Sequence, residues 1–212
     1  MSSRVLAALV SLGLIGAAAW IGSAGSGAKQ GRAAWTEVAP GVLRSPGLPA
    51  GYALVDGDAA LLIDAAHGAD RLKGHGVKQV EAALLTHHHR DSCAAAGRLL
   101  AAGVKVRAPK AAAEWLLPEA VRKYWRESLP LRNSRTAYLV VPAGLEGIDC
   151  NLEDGQTIAW RGWRVQVVGT PGHSRDHVAF TARRPDGPLL VFCGDAFAAA
   201  GKIWSPYTTD WD

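Results

Sequence analysis

The chain has 212 residues, 49% of them hydrophobic, and a formal net charge of +4. That composition suffices for one well-buried domain, and the mixing of basic with acidic residues argues against a nucleic-acid binder. The three cysteines, Cys93, Cys150 and Cys193, allow at most one disulfide and exclude a disulfide scaffold.

In chain order, Met1-Ser2-Ser3-Arg4 is a short positive start, and residues 5–22 form an uncharged, mostly apolar run of 18 residues followed by small residues at 23–28. This is the pattern of a secretory signal peptide. The run also has the length of an uncleaved membrane anchor. Residues 1–30 are therefore set apart, and 31–212 are taken as one domain. The protein is expected to be exported, to the periplasm or beyond the cell, with any membrane contact made through that N-terminal anchor.

Residues 41–45, 52–56 and 59–64 read as antiparallel strands, with Asp56-Gly57 marking a tight turn between the last two. Residues 65–77 read as a short helix or loop and 80–86 as an apolar strand. Residues 92–102 are rich in Ala and Leu, a helix stopped by Gly103 and open to capping by Asp91 or Ser92. A strand at 104–108 precedes helices at 110–117 and 119–127, separated by Pro118. Arg122, Lys123, Arg126, Arg132 and Arg135, with Tyr124 and Trp125, read as a solvated face and loop; a lid over an anionic substrate is the functional alternative. Hairpins follow at 156–169, turning at Arg161-Gly162, and at 177–192. No internal repeat or interdomain linker is visible.

Three places along this order carry chemistry. The strand at 80–86 runs into Thr86-His87-His88-His89-Arg90-Asp91-Ser92. Imidazole and carboxylate are common ligands for zinc or iron, and a strand end gives them a rigid base. In extended backbone alternate side chains share a side, so His87, His89 and Asp91 can converge while His88 and Arg90 point elsewhere. His88 is expected to pack or hydrogen-bond below the site. A second cluster is Thr170-Pro171-Gly172-His173-Ser174-Arg175-Asp176-His177. The third is Cys193-Gly194-Asp195 at the end of an apolar strand. Cys193 reads as a small core residue. Cys93 reads as a buried cap on the next helix, with soft metal ligand as the alternative. His67 and His75 read as surface residues.

Together these motifs resemble the metallo-beta-lactamase superfamily, with its Thr-His-x-His-x-Asp-His, Thr-Pro-Gly-His-Ser and Gly-Asp series. Leu62-Ile63-Asp64 looks like the family's early strand ending in aspartate. The resemblance spans roughly residues 42–195 and implies an α/β fold, the αβ/βα four-layer sandwich, with metals at one edge of two sheets. Two departures stand out. Ser92 occupies the position of the family's next histidine. The family's last histidine lies well beyond Gly-Asp, yet only 17 residues follow Asp195 and none is histidine. The chain is therefore expected to be incomplete at its C-terminus relative to the family.

By the resemblance, His87, His89 and His173 hold one metal, while Asp91 and Asp195 bind a second, Asp195 bridging the two. Zinc is the expected ion, one tight and a second weak; iron and manganese are the alternatives. Such an ion lowers the pKa of its bound water to roughly 7. The hydroxide so formed would attack an ester, thioester, lactone or lactam-type carbonyl of a small molecule. Asp91 is the catalytic candidate, orienting the nucleophile or taking a proton. Asp64, Ser92 and His177 are expected around the ligands or against substrate. Two other classes stay open: a phosphodiesterase or nuclease on the same fold, and a non-catalytic module with an incomplete metal site. The residues do not state the oligomeric form.

Overall fold

A computed structural model describes residues 8–9, 34–128, 144–197 and 201–203. Two mixed sheets dominate it. The first has seven strands in the order β2-β3-β4-β5-β6-β7-β8: Thr36–Ala39, Val42–Arg44, Tyr52–Asp56, Ala59–Ile63, Gln79–Leu84, Lys105–Pro109 and Asp149–Leu152. Neighbours from β2 to β5 are antiparallel, and those from β5 to β8 are parallel. The second sheet runs β1-β12-β11-β10-β9: Ala8–Leu9, Leu190–Phe192, Val178–Arg183, Trp163–Gly169 and Thr157–Trp160.

The central strands are apolar on both faces because both faces are covered. Ala53, Ala60, Leu62, Ala83, Leu85 and Val106 point to one side. There they meet Leu72, Ala96, Leu99 and Leu116 from the helical layer. That layer comprises 3-10 turns at Ala69–His75 and Lys110–Ala112 with helices α1 (Ala96–Ala101), α2 (Ala113–Leu116) and α3 (Pro118–Ser128). Leu54, Leu61, Ile63 and Leu84 point to the other side and meet Val165, Val167, Phe180 and Phe192 of the second sheet. On the far face of that sheet Arg164 and Gln166 are exposed, and no described helix covers them. Three of the four expected layers are thus present among the described residues.

Several sequence expectations shift. The turn between β4 and β5 is centred on Gly57 and Asp58, since Asp56 pairs with Ala59. Gly57 takes φ +62, which glycine adopts at little cost. The strand expected to reach Thr86 ends at Leu84, and the helix expected from Ser92 starts at Ala96. Neither Asp91 nor Ser92 caps that helix: its N-cap is Ala95, with no side-chain cap bond. The backbone between Leu84 and Ala96 is spent presenting side chains. Strands β2 and β8 went unread because their residues alternate poorly and lie mostly exposed at the sheet edges.

The N-terminal run lies outside the described residues except for Ala8–Leu9, which pairs parallel with Leu190–Val191. No described helix is long and apolar enough to cross a membrane. Arg132 and Arg135 also lie outside the described residues. Arg122 and Arg126 are exposed and lean on Glu119 at 2.8 and 3.7 Å, as a solvated helix face would.

Candidate metal centre

Three loops, each following a strand, meet at one edge of the two sheets. The loop after β6 supplies His87 and His89, the β10–β11 loop supplies His173, and the turn after β12 supplies Asp195. One ligand atom from each of these four lies within 4.8 Å of the others. The loops are tied where they cross, because the amide of Val178 donates to the Thr86 carbonyl at 2.9 Å. All three imidazoles are buried, and Asp195 is partly open.

The electrostatics suit a cation. Burial, then the neighbouring His88 and His173, push the His89 pKa down to about 3. Burial and the crowd of imidazoles hold His87 well below its ordinary value. Both rings are therefore neutral at pH 7, the form that ligates. Burial first, then the charge of Asp91, raises Asp195 to about 7. The Nε2 atoms of His87 and His89 are buried with no hydrogen-bond partner. Leaving two such atoms bare is costly unless they bind something. His89 Nδ1 and His173 Nε2 approach to 2.9 Å, and Asp195 Oδ2 lies 3.7 Å from His173 Nε2 and 3.9 Å from His87 Nε2. Three imidazole nitrogens and one carboxylate oxygen gathered within 4.8 Å of one another fit a divalent ion such as zinc.

A chain of bonds behind His87 fixes its tautomer. Asp64 follows β5 directly at φ +60, a left-handed backbone that Asp tolerates. Its Oδ1 accepts the Thr86 amide at 2.8 Å, and the Thr86 hydroxyl donates to the carboxylate at 3.0 Å. That hydroxyl oxygen then accepts from His87 Nδ1 at 2.9 Å, which leaves the Nε2 lone pair facing the centre. Burial raises Asp64 to about 7. Replacing Asp64 by alanine strands the buried Thr86 amide. The variant is expected to lose about 1–3 kcal/mol of stability. Its zinc affinity should fall about 10–100-fold, measured by calorimetric titration.

The other candidate residues fall in different places. Asp91, expected to share a side with His87 and His89, is exposed and stands outside the four-residue cluster. The extended-backbone argument stops at Leu84, so alternation no longer governs Asp91; its Oδ1 accepts the Ser92 amide at 3.0 Å. Ser92 is buried, and its carbonyl accepts from Ala65 at 2.8 Å. His88 points away and stacks on Trp115, centroids 5.0 Å apart, with Nδ1 2.8 Å from Asp176 Oδ1. Cys93 is buried, its thiol donating to the His89 carbonyl at 3.1 Å, and burial raises its pKa. It props the histidine loop from behind. Cys193 is buried as expected. His75 bonds the Trp35 carbonyl and His67 the Pro49 carbonyl, both away from the cluster. His177 is buried between Thr170 and Asp195. Thr86, Thr170 and Gly194 were quoted only as parts of motifs; their side-chain and backbone roles depend on contacts that cross between loops.

Comparison with known proteins agrees with this geometry. The profile described as the metallo-beta-lactamase superfamily matches residues 45–211. The chain belongs to that superfamily. It is similar to the hydroxyacylglutathione hydrolase of Cupriavidus taiwanensis, 27% identical over 152 residues, covering 71% of this chain and 49% of that protein. The namesake from Albidiferax ferrireducens is 30% identical over 124 residues, 58% of this chain and 36% of that one. The chain thus spans about half the length, or less, of these curated relatives. Among solved structures, a Cronobacter sakazakii metallo-beta-lactamase with an HARLDQ motif aligns with a TM-score of 0.57 at 22% identity, covering 75% of this chain and 63% of that one. The FEZ-1 metallo-beta-lactamase of Legionella gormanii aligns with a TM-score of 0.60 at 17% identity, covering 84% and 70%. These two likenesses speak for the fold.

Proposed function

We propose that the chain is a metal-dependent hydrolase of small-molecule acyl bonds, thioesters first, with ester, lactone and lactam bonds as neighbouring substrates. The observation that carries this is the cluster of His87, His89, His173 and Asp195, one ligand atom of each within 4.8 Å of the others, with the bare buried Nε2 of His87 facing the Asp195 carboxylate. Those four residues would hold one zinc ion tightly. What the ion supplies is Lewis acidity and a water acidified to near neutral pH. His87 is oriented for ligation by Asp64 and Thr86. Asp195, partly open, adds negative charge to the nitrogen set. Asp91 is exposed, yet near enough for its charge to raise Asp195. On this reading Asp91 would orient water or take a proton. Because Asp91 stands outside the cluster and Ser92 is a poor neutral ligand beside imidazole, a second ion would be weakly held.

The thioester preference is supported by the relatives, whose name specifies an acyl-glutathione. Only part of their length is matched, so the bond type, not the glutathione portion, is carried over. The test is a panel of acyl thioesters, lactones, phosphodiesters and beta-lactams offered to the zinc-loaded chain. Thioester turnover that disappears in His89→Ala supports the reading. Turnover of phosphodiesters alone would replace it with the phosphodiesterase alternative.

We also propose export, supported by Arg4 and the uncharged run over residues 5–22. N-terminal sequencing of the protein recovered from the periplasm or medium should find a start between about residues 19 and 31, where small residues offer cleavage sites. Full-length protein confined to soluble cytoplasm would contradict it.

A further inference from the structure

We propose that His177 is a positioning residue, locked in a single tautomer, that sets where the Asp195 carboxylate stands; this rests on the metal-site reading above. His177 is 1% exposed, so it neither meets solvent nor lines an open surface. Its Nε2 accepts the backbone amide of Asp195 at 3.2 Å. An accepting nitrogen carries no proton, so in the neutral ring the proton sits on Nδ1. That N–H donates to the Thr170 hydroxyl at 2.8 Å. Both ring nitrogens are thereby used, in one direction only, and His177 is not among the four residues of the cluster.

The backbone at Gly194 shows how tight this seat is. A Cβ there would lie 2.8 Å from His177 Nε2 and 2.7 Å from Thr86 Oγ1. The turn of Gly194 to Asp195 therefore fits between the His177 ring and the Thr86 hydroxyl that orients His87. Among the described residues no side-chain hydrogen bond places the Asp195 carboxylate; its Oδ2 stands 3.7 and 3.9 Å from the Nε2 atoms of His173 and His87. Among the described contacts, the amide-to-His177 bond and the Gly194 seat fix that residue. The Thr170–His177–Asp195 line and the Asp64–Thr86–His87 line thus brace the single carboxylate and the first imidazole from two sides.

The test uses the full chain in three variants. Zinc affinity is measured by calorimetric titration, and the tautomer of His177 by long-range proton–nitrogen-15 correlation of the metal-free protein at neutral pH. His177→Ala should lower zinc affinity about 10–100-fold, the range for losing an outer partner of a ligand. His177→Gln should recover most of it, because its amide oxygen can accept from Asp195 and its amide nitrogen can donate to Thr170. A group that merely filled space would be replaced no better by glutamine than by another side chain of that size, so His177→Met serves as the control and should not recover. Folded His177→Ala with native zinc affinity, or equal recovery by Met and Gln, would overturn the proposal. If His177→Ala fails to fold, Thr170→Val decides: it removes only the hydroxyl, and unchanged zinc affinity there would overturn the proposal. The correlation spectrum stands apart from metal binding. Protonated Nδ1 supports the assignment and protonated Nε2 overturns it, even if the chain bound no zinc and the hydrolase reading failed.

Discussion

Replacing His89 by alanine is expected to strip the metal and abolish hydrolysis while the fold survives. The ring is buried and lies 4.5 and 4.6 Å, centroid to centroid, from His87 and His173. It contributes one of four donors to the cluster. Zinc sites are worth about 10–16 kcal/mol over their ligands, so one donor of four corresponds to about 10²–10³-fold in affinity. The fold should persist because β6 and the residue after it, which deliver the loop, are anchored by Ala83, Leu84 and Leu85 in both cores. Thermal unfolding with and without zinc makes this visible. Ligand at 100 times its dissociation constant stabilises the native chain by about 2.7 kcal/mol. The variant should show almost none of that shift at the same zinc concentration. Full zinc stabilisation in His89→Ala would remove this residue from the centre.

The second large effect belongs to Gly194→Ala. Gly194 takes φ +49, and its added Cβ would meet Thr86 Oγ1 at 2.7 Å, His177 Nε2 at 2.8 Å and Thr86 Cβ at 2.9 Å. A left-handed backbone costs an ordinary residue about 1–2 kcal/mol. Overpacking against groups that cannot retreat costs about 1–3 kcal/mol more. Thr86 and His177 are both held by other bonds, so neither yields easily. At about 2–4 °C per kcal/mol for a chain of this size, the melting temperature should fall by about 5–20 °C. Gly57→Ala is the internal control: it shares the positive φ, +62, but its Cβ would meet nothing within 4 Å. It should show only the backbone part, about 1–2 kcal/mol. Equal losses in the two variants would mean that the contacts around Gly194 carry no weight.

These effects also mark where the sequence could and could not be read. The candidate ligands His87, His89, His173 and Asp195 are legible because each follows an apolar strand, and strands set loops at one edge. The central strands are legible because both faces are buried, giving unbroken apolar runs such as Ala59–Ile63. Asp91 lies outside the four-residue cluster because alternation does not carry past Leu84, where the strand stops and a turn begins. The α1 start misled because helix propensity over residues 92–95 yields to the loop that presents the histidines. The partners of His88 and His177 were out of reach for a different reason. Asp176 lies 88 positions from His88, and Asp195 lies 18 from His177. Local pattern says nothing about which loops cross, and the sheets decide that.

The central claim is that one divalent ion sits among His87, His89, His173 and Asp195. Elemental analysis of the purified, folded chain after dialysis against a mild chelator tests it most directly. One equivalent of zinc per chain, absent from His89→Ala, is the predicted result. No metal in the folded native chain, or two equivalents that survive the dialysis, would contradict it.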